Sequence, residues 1–302
     1  MTEEELKKKL QNRDRVIRVI SKSGYFRAVS IKSTDAVKLA QHQHKLDYIS
    51  AYYLSKVLSA TVMLSAFLKG EERISMEIMG TGAISRVYAE ALQLGECRGF
   101  VSFSKDYEQS KINKLVDVLG AGMLKVTKVL YNNVEPVVGV VPLEVGDVST
   151  DLAYYFAQSE QINSAVILDV DFDESGTIVS SGGIIVQAMP GATESEIKET
   201  VDSLSKIKSL SSDISSGLSP EEILNKYLPF EFDVIKRTQV DFFCRCSKEN
   251  FISKLSMLEQ EEIEDMRNSG QKELVCQFCN KHYYLDDKDF SNMLAEIKIK
   301  KN

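Results

Sequence analysis

Val240-Asp241-Phe242-Phe243-Cys244-Arg245-Cys246-Ser247-Lys248-Glu249, followed later by Val275-Cys276-Gln277-Phe278-Cys279, places four of the five cysteines of the chain in two tight pairs near its C-terminus. Thiolate sulfur is a preferred tetrahedral partner of zinc, and two close pairs joined by a loop are the usual way a short segment builds a four-sulfur site. The pairs therefore predict a small C-terminal domain, residues 241–302, folded around one zinc ion held by Cys244, Cys246, Cys276 and Cys279. Two features depart from an ordinary zinc ribbon: the spacer, residues 247–275, exceeds the usual ~15–20 residues, and the first pair is C-x-C rather than C-x-x-C. A segment of this size has too little interior to fold dependably alone, so the ion should supply much of its folding free energy.

Upstream, the pattern predicts an α+β fold. Short alternating apolar runs around Gly24, between Val16 and Ser30, read as strands, and Thr34-Asp35 opens a helical stretch. From Leu46 the positions Leu46, Ile49, Tyr53, Val57, Ala60 and Leu64 form one apolar stripe, marking a core helix. Further strands are expected at Ile74–Ile78, Met123–Leu130, Glu135–Pro142, Ala165–Val170 and Gly183–Met189, with a hairpin turn at Asn132-Asn133 and a helix over Asp151–Gln158. These elements predict an N-terminal mixed α/β domain, residues 1–190, built on a large sheet.

Composition changes after Pro190-Gly191. Thr193 to Glu196 has the form of a capping box and opens a helix with apolar positions Ile197, Val201, Leu204, Ile207, Leu210 and Ile214. Its other faces are crowded with serine, a weaker helix former than alanine. Ser219-Pro220-Glu221-Glu222 starts a second short helix. Residues 191–240 thus read as a helical linker that depends on a neighbour for its order.

Composition narrows function. With 302 residues, 27% of them charged, and a net charge of −7, the chain lacks the basic face that nucleic-acid or anionic-membrane binding requires. The longest apolar stretch, Val57–Leu68, is too short to span a bilayer, and the charged N-terminus has no signal-peptide core. A cytoplasmic location is expected, where paired cysteines are thiols or metal ligands at rest. Gly80-Thr81-Gly82 reads as a turn, since no complete phosphate-binding motif surrounds it. His282 is expected to be a surface or packing residue, His42 and His44 solvated or packing residues, and Cys97 a small buried one. Adjacent thiolates are also targets for oxidation, which would cost the metal its ligands.

These residues are specific enough to resemble a family. The two cysteine motifs quoted above are similar to those of heat-shock protein 33, the redox-regulated holdase chaperones of the bacterial cytoplasm. So are Asp151-Leu152-Ala153-Tyr154-Tyr155-Phe156 with Ser159-Glu160-Gln161, Gly182-Gly183 before a strand, and Gly217-Leu218-Ser219-Pro220-Glu221-Glu222. Val141-Pro142-Leu143 and Gly80-Thr81-Gly82 agree, whereas Gln41-His42-Gln43-His44-Lys45 departs from the turn found in many members. The resemblance implies a protein that is not an enzyme. Oxidation would join Cys244 to Cys246 and Cys276 to Cys279, eject zinc, unfold the switch domain, destabilise the linker, and yield homodimers that hold unfolding client proteins. Two rival readings accompany it: a zinc-ribbon module recruiting nucleic acid or protein, disfavoured by acidic clusters at Glu259–Asp265 and Asp286-Asp287, and a thiol oxidoreductase using Cys276 and Cys279.

Overall fold

Arg15–Ser21 (β1) and Phe26–Lys32 (β2) bury Val16, Ile17, Val19, Phe26, Ala28, Val29 and Ile31 and pair antiparallel around the turn at Gly24. The computed structural model describes residues 13–70, 72–105, 115–131 and 133–301. The charged N-terminal stretch and the turn residue Asn132 lie outside them. The chain divides into two units, Met1–Phe243 and Cys244–Asn302.

The first unit has two sheets where the sequence pattern suggested one. Its remaining strands are Arg73–Gly80 (β3), Ile84–Leu92 (β4), Glu96–Phe103 (β5), Gly122–Val129 (β6), Val137–Pro142 (β7), Ser164–Phe172 (β8), Ile178–Ala188 (β9), Phe232–Gln239 (β10) and Asp241–Phe242 (β11). One sheet runs β10-β1-β2-β9-β8, and the other β11-β5-β4-β3-β6-β7. Thr34–His44 (α1) and Tyr48–Ser65 (α2) follow β2, and α2 packs on strands of both sheets. That placement explains a difference from the single stripe expected of α2: it is buried on nearly every side. Its hydroxyls are satisfied internally, Thr61 donating to the Val57 carbonyl (2.6 Å), Ser65 to that of Val62 (2.8 Å), and Ser59 sharing a hydrogen bond with Ser33 (2.7 Å).

Beyond α2 come Leu115–Leu119 (α3) and Val148–Tyr155 (α4), the latter capped by Asp147 and continued by a π-helical turn, Phe156–Glu160. Residues 191–240 hold three helices and a strand. Glu194–Leu204 (α5) begins at the expected capping box, but the expected single helix stops at Leu204. Ser209 caps a new one, Leu210–Ser215 (α6), because Asp169 of β8 accepts hydrogen bonds from the Ser211 amide (2.9 Å) and hydroxyl (2.8 Å) and pins its start to the sheet. Pro220–Tyr227 (α7) follows its own capping box at Ser219. Leu204, Leu210, Ile214, Ile223, Leu224 and Leu228 then cover an apolar face made by Ile17, Val19, Phe26, Ala28, Ile184 and Val186 of β1, β2 and β9. Gly182 permits this approach: a Cβ there would lie 2.4 Å from Ile214 Cδ1. β10 completes the segment by pairing with β1, and Glu221 of α7 bridges both strands through Arg15 and Arg237, each at 2.9 Å.

Asp14, just ahead of β1, is almost wholly buried. Its Oδ2 accepts from the Ala36 amide at 2.8 Å and caps α1, while Oδ1 has no hydrogen-bond partner. Burial raises its pKa to about 7, against the Ala36 hydrogen bond, which lowers it; neighbouring Asp35 raises it further. The folded state thus keeps a proton that the unfolded chain sheds near 3.8, so stability contributed by this group is present at low pH and lost as pH rises toward 7. Asp14→Asn should accordingly be more stable than the parent at pH 8, by on the order of 2–4 kcal/mol, with the gap closing near pH 4. Urea unfolding midpoints of the reduced protein at both pH values check this; a gap that widened toward low pH would contradict it.

The second unit contains Lys248–Leu255 (α8), Gln260–Asn268 (α9), Glu273–Val275 (β12), His282–Tyr284 (β13) and Asp287–Lys301 (α10). Its apolar cluster centres on Ile263, Leu285, Phe290, Met293 and Ile297.

Candidate metal centre

The four paired cysteines converge within the second unit. Cys276 and Cys279 sit on the turn joining β12 to β13, where the Asn280 amide donates to the Cys276 carbonyl (2.7 Å) and the Cys276 amide to the Lys281 carbonyl (2.9 Å). Asn280 takes the left-handed conformation, φ 54°, that lets the turn close. The other pair precedes α8, whose N-cap Ser247 accepts from the Asn250 amide at 3.1 Å. The Asn250 side chain donates back to the Arg245 carbonyl at 3.1 Å and fixes the backbone between Cys244 and Cys246.

All four sulfurs lie within 4.8 Å of one another. Cys244 and Cys276 are 3.7 Å apart, and Cys246 and Cys279 3.3 Å. A tetrahedral site with metal–sulfur bonds of about 2.3 Å has sulfur–sulfur edges of about 3.8 Å, so side-chain shifts of about 1 Å or less would seat one such ion among these donors. Among the described residues no histidine or carboxylate joins the cluster. Cys276 and Cys279 are buried, Cys244 and Cys246 partly so.

Charge is distributed unevenly over the thiols. Burial pushes Cys246 up, but hydrogen bonds from Tyr283, Cys279, Cys276 and Cys244 outweigh it and hold this thiol below its ordinary value. Burial raises Cys276 and Cys279, and for Cys279 hydrogen bonding to Cys246 adds to it. Tyr283 is raised chiefly by its hydrogen bond to the Cys246 sulfur. Four such sulfurs confined together are best charged in company with a cation, which relieves both the burial cost and their mutual repulsion.

The remaining candidates fall elsewhere. His282 is half-exposed on β13, with Nδ1 2.7 Å from Glu273 Oε1, and is not a member of the cluster. Cys97 is buried in β5 of the first unit, and His42 and His44 occupy the last turn of α1. The C-x-x-C turn lies between two strands, unlike the strand-to-helix setting of a thioredoxin-type pair. Tyr283 was not foreseen from sequence: its hydroxyl lies 3.2 Å from the Cys246 sulfur and donates to the Cys246 carbonyl at 2.9 Å. The available signal was an aromatic residue in the first strand after the cysteine turn.

Comparison with known proteins agrees with this geometry. The family model described as "Hsp33 protein" matches residues 14–286. A 33 kDa chaperonin of Bacillus velezensis is 34% identical over 288 residues, covering 94% of this chain and 99% of its own length. That of Bacillus subtilis is 33% identical over 285 residues, covering 93% and 98%. Among solved structures, the 33 kDa chaperonin of Thermotoga maritima superposes with a TM-score of 0.83 at 25% identity, over 95% of this chain and 99% of that one.

Proposed function

The chain belongs to the Hsp33 family, and from that premise we propose that it is a redox-switched chaperone: an ATP-independent holdase, not an enzyme, silenced while zinc is bound and activated when its cysteine ligands are oxidised. The relatives are named chaperonins. The observation that carries the switch is the gathering of four thiols, with no histidine or carboxylate among the described residues, into one cluster in a unit with a small apolar core.

In the reduced state Cys244, Cys246, Cys276 and Cys279 would hold one zinc ion, which supplies structural cross-linking and no reaction step. Tyr283 and Asn250 position Cys246 and the backbone of the first pair. One thiolate attacks peroxide, breaking its O–O bond to leave a sulfenic acid and hydroxide; the neighbouring thiolate then attacks the sulfenic sulfur, expels a second hydroxide and closes a disulfide. Each cysteine pair therefore gives two electrons to one peroxide, which is reduced to two hydroxides. The reading pairs Cys244 with Cys246 and Cys276 with Cys279, after which no ligand set remains and the second unit unfolds.

The segment that would loosen next is α5, α6 and α7, whose serine-rich sequences form helix weakly. The face beneath them, Ile17, Val19, Phe26, Ala28, Ile184 and Val186, is what a holdase would present: apolar surface on a sheet that keeps its own hydrogen bonds. Such a surface recognises unfolding clients through exposed apolar segments and needs no nucleotide. Oxidised molecules would associate as homodimers. A cytoplasmic setting, reducing at rest, suits the switch; no helix among the described residues is long and apolar enough to cross a membrane.

The test treats reduced, zinc-loaded protein with peroxide at mild heat and follows zinc release, thiol count, disulfide mapping and aggregation of an unfolding client in the same samples. One zinc should leave as four thiols disappear, with client aggregation suppressed several-fold over the untreated protein. Loss of zinc and thiols with no gain in suppression would refute the reading.

A further inference from the structure

Val240–Phe243, the four residues before the first metal-site cysteine, join the two sheets of the first unit. The Val240 amide donates to the Asp14 carbonyl (3.1 Å) beside β1, the Asp241 amide to Gly95 (3.1 Å), and the Phe243 amide to Cys97 (2.9 Å) at the edge of β5. Asp241 and Phe242 run parallel to Glu96 and Cys97 as a two-residue strand. The side chains of Val240 and Phe242 are buried, and the Phe242 ring meets His44 of α1 edge-on at 6.4 Å.

The seat is built for close approach. Gly95 has φ +87°, and a Cβ on it would lie 1.9 Å from the Gln239 carbonyl oxygen and 2.9 Å from Thr238 Cγ2. No other residue type lets the chain lie down there without displacement. Under this segment Cys97 is wholly enclosed, so it cannot react with a thiol reagent while the segment is seated. Behind it runs a continuous line of contacts. Val240 leads back into β10, Arg237 of β10 is paired with Glu221 of α7, and α7 places Ile223 and Leu224 on the apolar face. Ahead, Phe243 is bonded directly to Cys244.

We propose that Val240–Phe243 is a strap that must leave Gly95 and Cys97 before the linker helices can lift, making Gly95 a positioning residue for the switch and Cys97 its internal reporter. The proposal rests on the redox-switch reading above and adds the route by which metal loss reaches the covering helices. The strap's far end passes through one peptide bond into Cys244 of the second unit. Once that unit unfolds, the strap is held by its contacts within the first unit, three backbone hydrogen bonds and two buried side chains among them, and its release frees the end of β10 and with it the Arg237–Glu221 contact on α7.

Hydrogen exchange on the full-length wild-type protein, reduced and zinc-loaded against peroxide-treated, tests this directly. The Asp241 and Phe243 amides should lose protection together with or before those of α7, while β1–β2 amides keep theirs, and maleimide labelling of Cys97 should accelerate at least ten-fold. An oxidised protein that suppresses aggregation with Asp241 and Phe243 still protected would overturn the strap. If no oxidised sample gained suppression, it is the switch reading that would fail, so the two failures are distinct. Gly95→Ala should label at Cys97 at least ten-fold faster in the reduced state, retain one zinc, and suppress aggregation without oxidant. Unchanged labelling would remove Gly95 from the role. Faster labelling with protected α7 amides and no suppression would break the link between strap and helices. Should Gly95→Ala fail to fold, the wild-type exchange measurement decides alone.

Discussion

Cys279→Ser, or removal of the ion from the reduced protein by a strong chelator, should unfold residues 244–302 while the β1-β2-β9-β8 and β5-β4-β3-β6-β7 ladders persist. The physical basis is size. Among the described residues the second unit's fully buried apolar cluster is Ile263, Leu285, Phe290, Met293 and Ile297, and its sheet is two three-residue strands. Chains this short seldom bury enough apolar surface to offset the entropy of ordering them. Four thiolates on one zinc contribute on the order of 10 kcal/mol in comparable peptides, more than the net stability of most domains of this length. Serine is a poor zinc ligand, so the substituted site would lose tight binding as well as one ligand. Amide exchange should show β12, β13 and α9 unprotected and β2 and β9 unchanged, with zinc content falling from one to near zero. Retention of protection in β12 and β13 without metal would show that the apolar cluster alone suffices.

The second large effect is expected at Leu224. It is fully buried where α7 meets the sheet, and Leu224→Asp would place a carboxylate inside the apolar cluster that includes Ile17, Ala28 and Val186. Removing the leucine costs about 2–5 kcal/mol and the unpaired charge several more. Helices as short as α6 and α7 cannot absorb that alone, so the response should be release of the covering segment rather than unfolding of the sheets. The variant should bind an apolar dye and suppress client aggregation in the reduced, zinc-loaded state, several-fold above the parent. Leu224→Met, which keeps volume and polarity, should cost under about 1.5 kcal/mol and leave the protein silent. Dye binding without aggregation suppression would mean that the uncovered face does not hold clients.

Much of this was legible in the residues. The expected clustering of Cys244, Cys246, Cys276 and Cys279 rested on two short motifs whose chemistry is local, and the four sulfurs do converge. The capping boxes at Thr193 and Ser219 also appear where they were expected, because a cap is a contract among four consecutive residues. What escaped was set by distant partners. β4 and β5 carry small or charged residues, such as Ala89, Glu90 and Arg98, at positions satisfied by neighbouring strands, including the Arg98–Glu90 pair. The break between α5 and α6 depends on Asp169, some forty residues earlier in the chain. β10 alternates against solvent on an edge and becomes a strand only because β1 is there to receive it.

The pairing of β1 with β10 also has a history in time. Arg15 meets Gln239 across that ladder, so a ribosome finishes the first strand long before the partner that flanks it. At ordinary rates of synthesis the interval is on the order of ten seconds or more. Throughout it the newborn chain lacks β10, α7 and the strap, and the apolar face of β1 and β2 waits uncovered. A chain of a chaperone family is therefore, for that interval, itself a sticky intermediate, and the segment that covers its apolar face is made late.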